Sequence, residues 1–190
     1  NETPEPDGPL TVVLIARMLR DKGVGEFVES ARQLKPRFPE VRFLLVGSPD
    51  SGNPTSFSIS DLNSWQREEC VEWIGHSSEV ANILKQSHIV CLPSYREGLP
   101  KSLIEAASAG RPIVTTNVPG CREVVTDGEN GFLVPPRDSV ALADAIQKLL
   151  INPSMRKAMG AAGRKRAVEE FSSAVIIRQT LDLYESIQIP

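Results

Sequence analysis

The run Ile89-Val90-Cys91-Leu92-Pro93-Ser94-Tyr95-Arg96-Glu97-Gly98-Leu99-Pro100-Lys101-Ser102-Leu103-Ile104-Glu105 decides the fold class. Its first four residues are apolar without alternation, so both faces of that strand must be covered. Pro93 to Gly98 carries the Pro, Ser and Gly of a loop. Pro100 suits the first position of a helix, where its fixed φ fits and its missing N–H is not needed. The helix is expected to stop at Gly110, a residue that tolerates the left-handed conformation of a helix end. An all-apolar strand feeding a helix is the unit of a parallel sheet covered on both faces.

The same rhythm extends in both directions. Thr11 to Ala16 reads as a buried strand. Val24, Phe27, Val28, Ala31 and Leu34 then recur at helical spacing, with Arg32, Lys35 and Arg37 near the negative end of the dipole. Further strands are expected at Val41 to Val46, Val71 to Ile74, Pro112 to Thr115 and Gly131 to Val134. Ser48 to Ser58 is polar, contains Gly52 and Pro54, and reads as a long loop. A short helix is expected around Ile59 to Arg67, and Ser77 or Ser78 is expected to cap another carrying Val80, Ile83 and Leu84. Asp138 caps a helix with an apolar stripe of Leu142, Ala145, Ile146, Leu149 and Leu150. Asn152-Pro153 opens a further helix, and Ser172 or Ser173 opens the last. The expectation is an α/β chain with a Rossmann-like, doubly wound, six-stranded parallel sheet. Residues 1–9 read as a linker and 10–190 as one domain, including C-terminal helices over 153–188.

Composition agrees. The chain has 190 residues, 41% hydrophobic and 24% charged, as in ordinary globular domains. It is long enough to bury a sizeable core. Val12 to Ala16 falls far short of a membrane span. The acidic, proline-rich start does not read as a signal peptide. Cys70, Cys91 and Cys121 show no paired spacing, which suits a reducing compartment. The Asn1-Glu2-Thr3 sequon at the extreme end reads as chance. A net charge of −3 favours neither nucleic acid nor anionic lipid, so any anion site must be local.

In such sheets ligands bind beyond the carboxyl ends of the strands. After the first strand, Arg17 to Gly23 carries several cations but neither a Gly-x-Gly-x-x-Gly fingerprint nor a Walker lysine loop. Cations on a loop feeding a helix amino end suit a phosphate, although solvated surface cations would look the same. After the fourth strand, Glu97 lies in a loop and Gly98 permits close backbone approach. Glu105 sits further along the helix beside Ile104 and Ala106, where a carboxylate needs a partner. Vicinal sugar or ribose hydroxyls would serve, and so would a salt bridge within the domain. Thr115 to Glu123 is a polar, glycine-containing loop and a weak signal. No His-Cys cluster, Asp-x-Asp pair or Gly-x-Ser-x-Gly elbow is present. His76 reads as a loop residue at a strand exit, His88 as structural and Cys91 as core.

Taken together, Arg17 with Lys22, then Glu97 and Glu105 around a Gly-Leu-Pro helix start, resemble the family 4 retaining glycosyltransferases. So do Glu105 to Val114, Pro119-Gly120 with Glu123, and Asp127-Gly128 with Gly131 to Val134. The resemblance covers nearly the whole chain and implies one half of a GT-B fold, the carboxy-terminal nucleotide-sugar-binding half. Under it, Arg17 and Lys22 grip the donor diphosphate, Glu105 binds the ribose hydroxyls, and Glu97 contacts the transferred sugar beside Gly98 and Leu99. Gly47, Ile74 and Gly75 border the base. Pro100 removes one N–H from the phosphate-facing turn, and Lys101 supplies a compensating charge. The form Arg96 to Ser102 further resembles bacterial transferases that add N-acetylhexosamines in lipopolysaccharide, capsule or lipid-linked glycan assembly.

The resemblance implies a UDP-sugar donor, no cofactor, no metal, and an acceptor held by an amino-terminal half. It also implies a cytoplasmic location with peripheral membrane association of the full-length enzyme. A binding module without turnover and a GT-B-like UDP-sugar epimerase are the alternatives. The last helix is expected to leave Val175, Ile177 and Leu181 uncovered.

Overall fold

A computed structural model describes residues 4–187. Apolar residues that cannot alternate between core and solvent become the centre of one parallel sheet. Its strands are β1 (Thr11–Ile15), β2 (Arg42–Val46), β3 (Glu72–Trp73), β4 (Ile89–Leu92), β5 (Ile113–Thr116) and β6 (Gly131–Val134). They are ordered β3-β2-β1-β4-β5-β6, all pairs parallel. Val12, Val13 and Leu14 are fully buried. Val12 and Leu14 pack into one layer, while Val13 faces the other.

Helices α1 (Val24–Leu34) and α6 (Ser139–Ile151) cover the first face. Phe27, Leu142, Ile146 and Leu149 meet Phe43 and Leu45 there, and Phe27 contacts the Phe43 ring edge-on at 5.9 Å. The other face is closed by α3 (Val80–Lys85), α4 (Lys101–Ser108) and α5 (Pro119–Val124), with Leu84, Leu103 and Cys121 in its core. Each such large aliphatic side chain contributes roughly 1.5–3 kcal/mol on burial. Helix α2 (Ile59–Arg67) follows the long loop, and Ser58 with Asp61 forms a reciprocal capping box at its start. Helices α7 (Pro153–Glu170) and α8 (Ser173–Ser186) complete the chain.

Several elements differ from the sequence reading. Pro100 is the N-cap residue, not the first helical one, with extended φ,ψ of −73°, 108°. Its carbonyl accepts from both Leu103 and Ile104, so it closes the first turn from outside. Neither Ser77 nor Ser78 caps α3. Ser77 Oγ is spent on the Glu79 amide at 3.0 Å, and Glu79 takes the cap position without a side-chain bond. The loop after β5 contains the six-residue α5, started by Pro119. A 3-10 turn at Arg20–Lys22 was also not read from the sequence. The strand at Val71 to Ile74 shortens to β3.

Residues 4–6 lie against the domain body. Arg111 donates to Pro4 O at 2.9 Å, Arg156 pairs with Glu5 at 2.6 Å, and the His88 ring joins Pro6 O at 3.1 Å. The Asn1-Glu2-Thr3 sequon and residue 188 of the expected C-terminal helices lie outside the described residues. At the far end α8 buries none of its side chains; Ile177 and Leu181 are more than half exposed and Val175 is half-buried.

Candidate functional site

The strand order reverses between β1 and β4, and such a switch point opens a crevice at the carboxyl edge of the sheet. Two chain segments flank it. From β1 the chain runs through Arg17 into the 3-10 turn that ends at Lys22. From β4 it runs through Pro93 to Glu97 and into α4. Lys22 Nζ and Glu97 Oε1 meet across this crevice at 2.6 Å, with side chains 23% and 11% exposed. Opposite charges 75 residues apart in sequence therefore share one mostly desolvated position.

The Glu97 loop is tied from three sides. Ser94 Oγ and Tyr95 N both donate to Asp21 O at 2.9 Å, joining it to the 3-10 turn. Thr116 Oγ1 at the end of β5 donates to Ser94 O. Below, a Cβ on Gly120 would overlap the carbonyl oxygens of Glu97 and Gly98, so only glycine lets α5 approach the loop this closely. Tyr95 OH donates to Glu26 Oε1 at 2.5 Å, and Arg137 lies over the Tyr95 ring at 4.6 Å. Burial, then the Glu26 bond, pushes the Tyr95 phenol up to about 12. Cys121, beneath the loop, is fully buried and its thiol is pushed up by that burial, so it packs rather than reacts.

Beyond Gly98 the site offers main-chain donors. The amides of Gly98, Leu99, Lys101 and Ser102 have no acceptor among the described residues. Gly98 faces open space and Leu99 is half exposed. These donors, with the positive end of α4 and the Lys22 ammonium, suit an anion.

Arg17 points elsewhere. Its Nη1 pairs with Asp50 at 2.6 Å on the rim of a cavity of about 420 Å3, lined also by Gly47, His76 and Val80. Gly47, at φ 145°, packs where a Cβ would strike Ala16 O, and its amide donates to Gly75 O at 2.7 Å. Trp73 Nε1 donates to Gly47 O at 2.8 Å, and Ile74 is half exposed beside it. Glu105 lies one turn into α4, paired with Lys101 at 3.4 Å, in a cavity of about 270 Å3 between α3 and α4. Val80 lines both cavities, so they adjoin.

The structure thus joins Lys22 directly to Glu97, sets Gly47 against Gly75, and leaves Arg17 and Glu105 in neighbouring cavities with other partners. Sequence reasoning missed Asp50, Glu26 and the role of Gly120. Only the Pro119-Gly120 pair carried a readable signal, a proline helix start followed by a glycine.

The profile of the family described as "Glycosyl transferases group 1" matches residues 1–166. The chain is similar to the capsular polysaccharide biosynthesis glycosyltransferase CapM of Staphylococcus aureus, at 32% identity over 172 residues, 90% of this chain and 45% of that protein. It is also similar to the N,N'-diacetylbacillosaminyl-diphospho-undecaprenol alpha-1,3-N-acetylgalactosaminyltransferase of Campylobacter jejuni, at 33% identity over 93% of this chain and 44% of that one. The solved structure of Anabaena Alr3699/HepE with UDP and glucose superposes with a TM-score of 0.84 at 22% identity, covering 94% of this chain and 49% of that one. The chain therefore spans about half the length of these proteins.

Proposed function

The chain belongs to the group 1 glycosyl transferases, and from that premise we propose that it is the donor-binding half of a retaining, metal-independent glycosyltransferase of the family 4 type. It moves a hexose or N-acetylhexosamine from a UDP-sugar to a glycan or lipid-linked acceptor, in assembly of bacterial surface polysaccharide such as lipopolysaccharide or capsule. The observation that carries this reading is the 2.6 Å Lys22–Glu97 contact at the β1/β4 switch point. An ammonium for a phosphate and a carboxylate for sugar hydroxyls stand side by side there, under a row of unpartnered amides. The UDP and glucose of the Anabaena structure, and the sugar-transferring relatives, support the donor class.

In this mechanism, cleavage of the sugar–phosphate bond leaves growing negative charge on the diphosphate. Lys22, Arg17 and the amides from Gly98 to Ser102 stabilise that charge, most strongly where water is excluded. Glu97 holds the sugar hydroxyls as the anomeric carbon becomes oxocarbenium-like, and the acceptor proton passes to the departing phosphate oxygen. Glu105 accepts from the ribose hydroxyls, and Gly47, Ile74 and Gly75 border the base. Arg17 must exchange Asp50 for the diphosphate, which an exposed side chain does readily. Lys101, at the solvent edge, offsets the amide that Pro100 lacks, and Tyr95, Arg96 and Lys101 vary with the donor.

The acceptor lies on an amino-terminal half, against which the uncovered face of α8 packs. No helix of the described residues is long and apolar enough to cross a membrane. The location proposed for the full-length enzyme, the cytoplasm with peripheral membrane association, rests on the resemblance to the family. Calorimetric titration with UDP tests the site: Lys22→Ala and Arg17→Ala each weaken binding several-fold or more, and unchanged affinity would overturn it. Transfer from a UDP-sugar by the chain joined to its amino-terminal half separates an enzyme from a binding module without turnover.

A further inference from the structure

A second cavity, of about 580 Å3, lies at the amino edge of the sheet, opposite the Lys22–Glu97 crevice. Residues 4–5, the turn from α4 into β5, and the first three turns of α7 form its walls. Its charge is one-sided: Arg111, Arg156, Lys157 and Arg164 line it, against the single acid Glu5. That imbalance stands out in a chain whose net charge is −3.

Three of these cations are held in place. Arg111 is 1% exposed and donates to three main-chain carbonyls, of Leu84, Lys85 and Pro4, without an ion pair among the described residues. Arg156 is 6% exposed, spends its carboxylate partner Glu5 at 2.6 Å, and donates to Leu149 O and Leu150 O at the end of α6. Arg164 donates to Ser108 O at the end of α4. Lys157 stands exposed at the rim without an ion pair among the described residues. Arg156 and Arg164 lie eight residues apart on one helix, about 12 Å along its axis.

The Arg111 guanidinium is satisfied by neutral carbonyls, with Glu5 the acid that partly offsets its charge, and the low dielectric around it extends the remaining field into the cavity. The positive end of α7 adds to it at Ser154, whose amide is left over when the Asn152 side chain caps Met155 N at 3.0 Å. Because the arginines are already fixed, an incoming anion orders few side chains. Pro4, Pro112, Pro153 and Ala161 supply an apolar lining between the charges.

We propose that this cavity binds a phosphate-bearing small molecule, a site separate from the sugar-nucleotide crevice. The positive charge of the lining and the exposed Lys157 ammonium suit phosphate oxygens, and the volume suits a small phosphorylated metabolite. The concave shape and the depth of Arg111 favour a small molecule over a bilayer surface. Inorganic pyrophosphate, titrated by calorimetry into the chain at low salt, is the probe. The expected result is a saturable event that Lys22→Ala leaves intact and that Lys157→Ala and Arg164→Ala each weaken about tenfold. Lys157 is exposed, so its variant folds even where Arg164→Ala does not. Pyrophosphate binding abolished by Lys22→Ala alone, binding insensitive to both lower-site variants, or association with phosphatidylglycerol vesicles without pyrophosphate binding would each overturn the proposal.

Discussion

Lys22 and Glu97 hold each other at 2.6 Å where the proposed donor would bind. An exposed pair would contribute about 0–1 kcal/mol, and breaking a fully buried one costs about 3–5 kcal/mol. This pair lies between, so Glu97→Gln is expected to cost about 1–2 kcal/mol of unfolding free energy in urea. Its effect on ligands is sharper. With the carboxylate neutralised, the Lys22 ammonium is free for phosphate, so UDP affinity holds or rises while the extra affinity of a UDP-sugar over UDP is lost. Equal losses for both ligands would show that Glu97 does not face the sugar. Tyr95 gives a second residue-level test. Its phenol stays protonated until about pH 12, above its ordinary value near 10. Its share of stability is therefore whole below pH ~10 and fades as pH rises through the shifted value. Tyrosinate absorbance should show that late step, and Tyr95→Phe should remove it. Lys22 and Glu97 were legible because they follow apolar strands at positions where a parallel sheet presents ligands. Asp50 and Glu26 were not, since a pairing across 33 or 69 residues is set by how loops return over the sheet.

At the scale of elements, α5 acts as the seat of the Glu97 loop. Gly120→Ala places a methyl where the Glu97 and Gly98 carbonyls lie, and overpacking of this kind costs roughly 1–3 kcal/mol. The loop is the part free to move, so UDP-sugar affinity should fall about tenfold or more while far-ultraviolet circular dichroism is unchanged. A wild-type titration curve for this variant would mean that α5 does not position the loop. The helix escaped the sequence reading because six residues are too few for a periodic stripe, and its support comes from packing. The linker has its own latch at His88. The Thr11 amide donates to Nδ1 at 3.1 Å, so the ring is the Nε2–H tautomer and donates to Pro6 O. Burial holds this histidine below its usual value, and Arg156 and Arg111 lower it further while Glu5 raises it. The unfolded chain then binds the proton more readily, so stability is whole above about pH 6.5 and declines as pH falls through that value. Urea midpoints at about pH 7.5 and about pH 5.5 should differ more for wild type than for His88→Gln. An equal difference would assign the decline to other groups.

Across the whole molecule, the strands were readable and their order was not. All-apolar runs announce strands covered on both faces, but nothing local in β1 or β4 says that they pair. That adjacency follows from the right-handed crossovers of the two halves of the sheet, and it sets the crevice between Arg17 and Glu97. The exposed face of α8 was expected for a different reason: the resemblance implies a second half towards which the helices from Pro153 onward lean. Ile176, Ile177, Leu181, Leu183 and Tyr184 on this helix are 47–68% exposed, and clustered exposed apolar residues mark interfaces. Replacing Ile177 and Leu181 together by Ser removes side chains that this chain leaves more than half exposed. The unfolding free energy should therefore stay within about 1 kcal/mol of wild type, at about 0.5 kcal/mol per surface substitution. In the chain joined to its amino-terminal half the same pair should lower the thermal midpoint and the transfer rate, if the proposed half covers the face. A large loss already in the present chain would mean that α8 packs on the domain itself, and no loss in the joined chain would leave the face without its proposed partner.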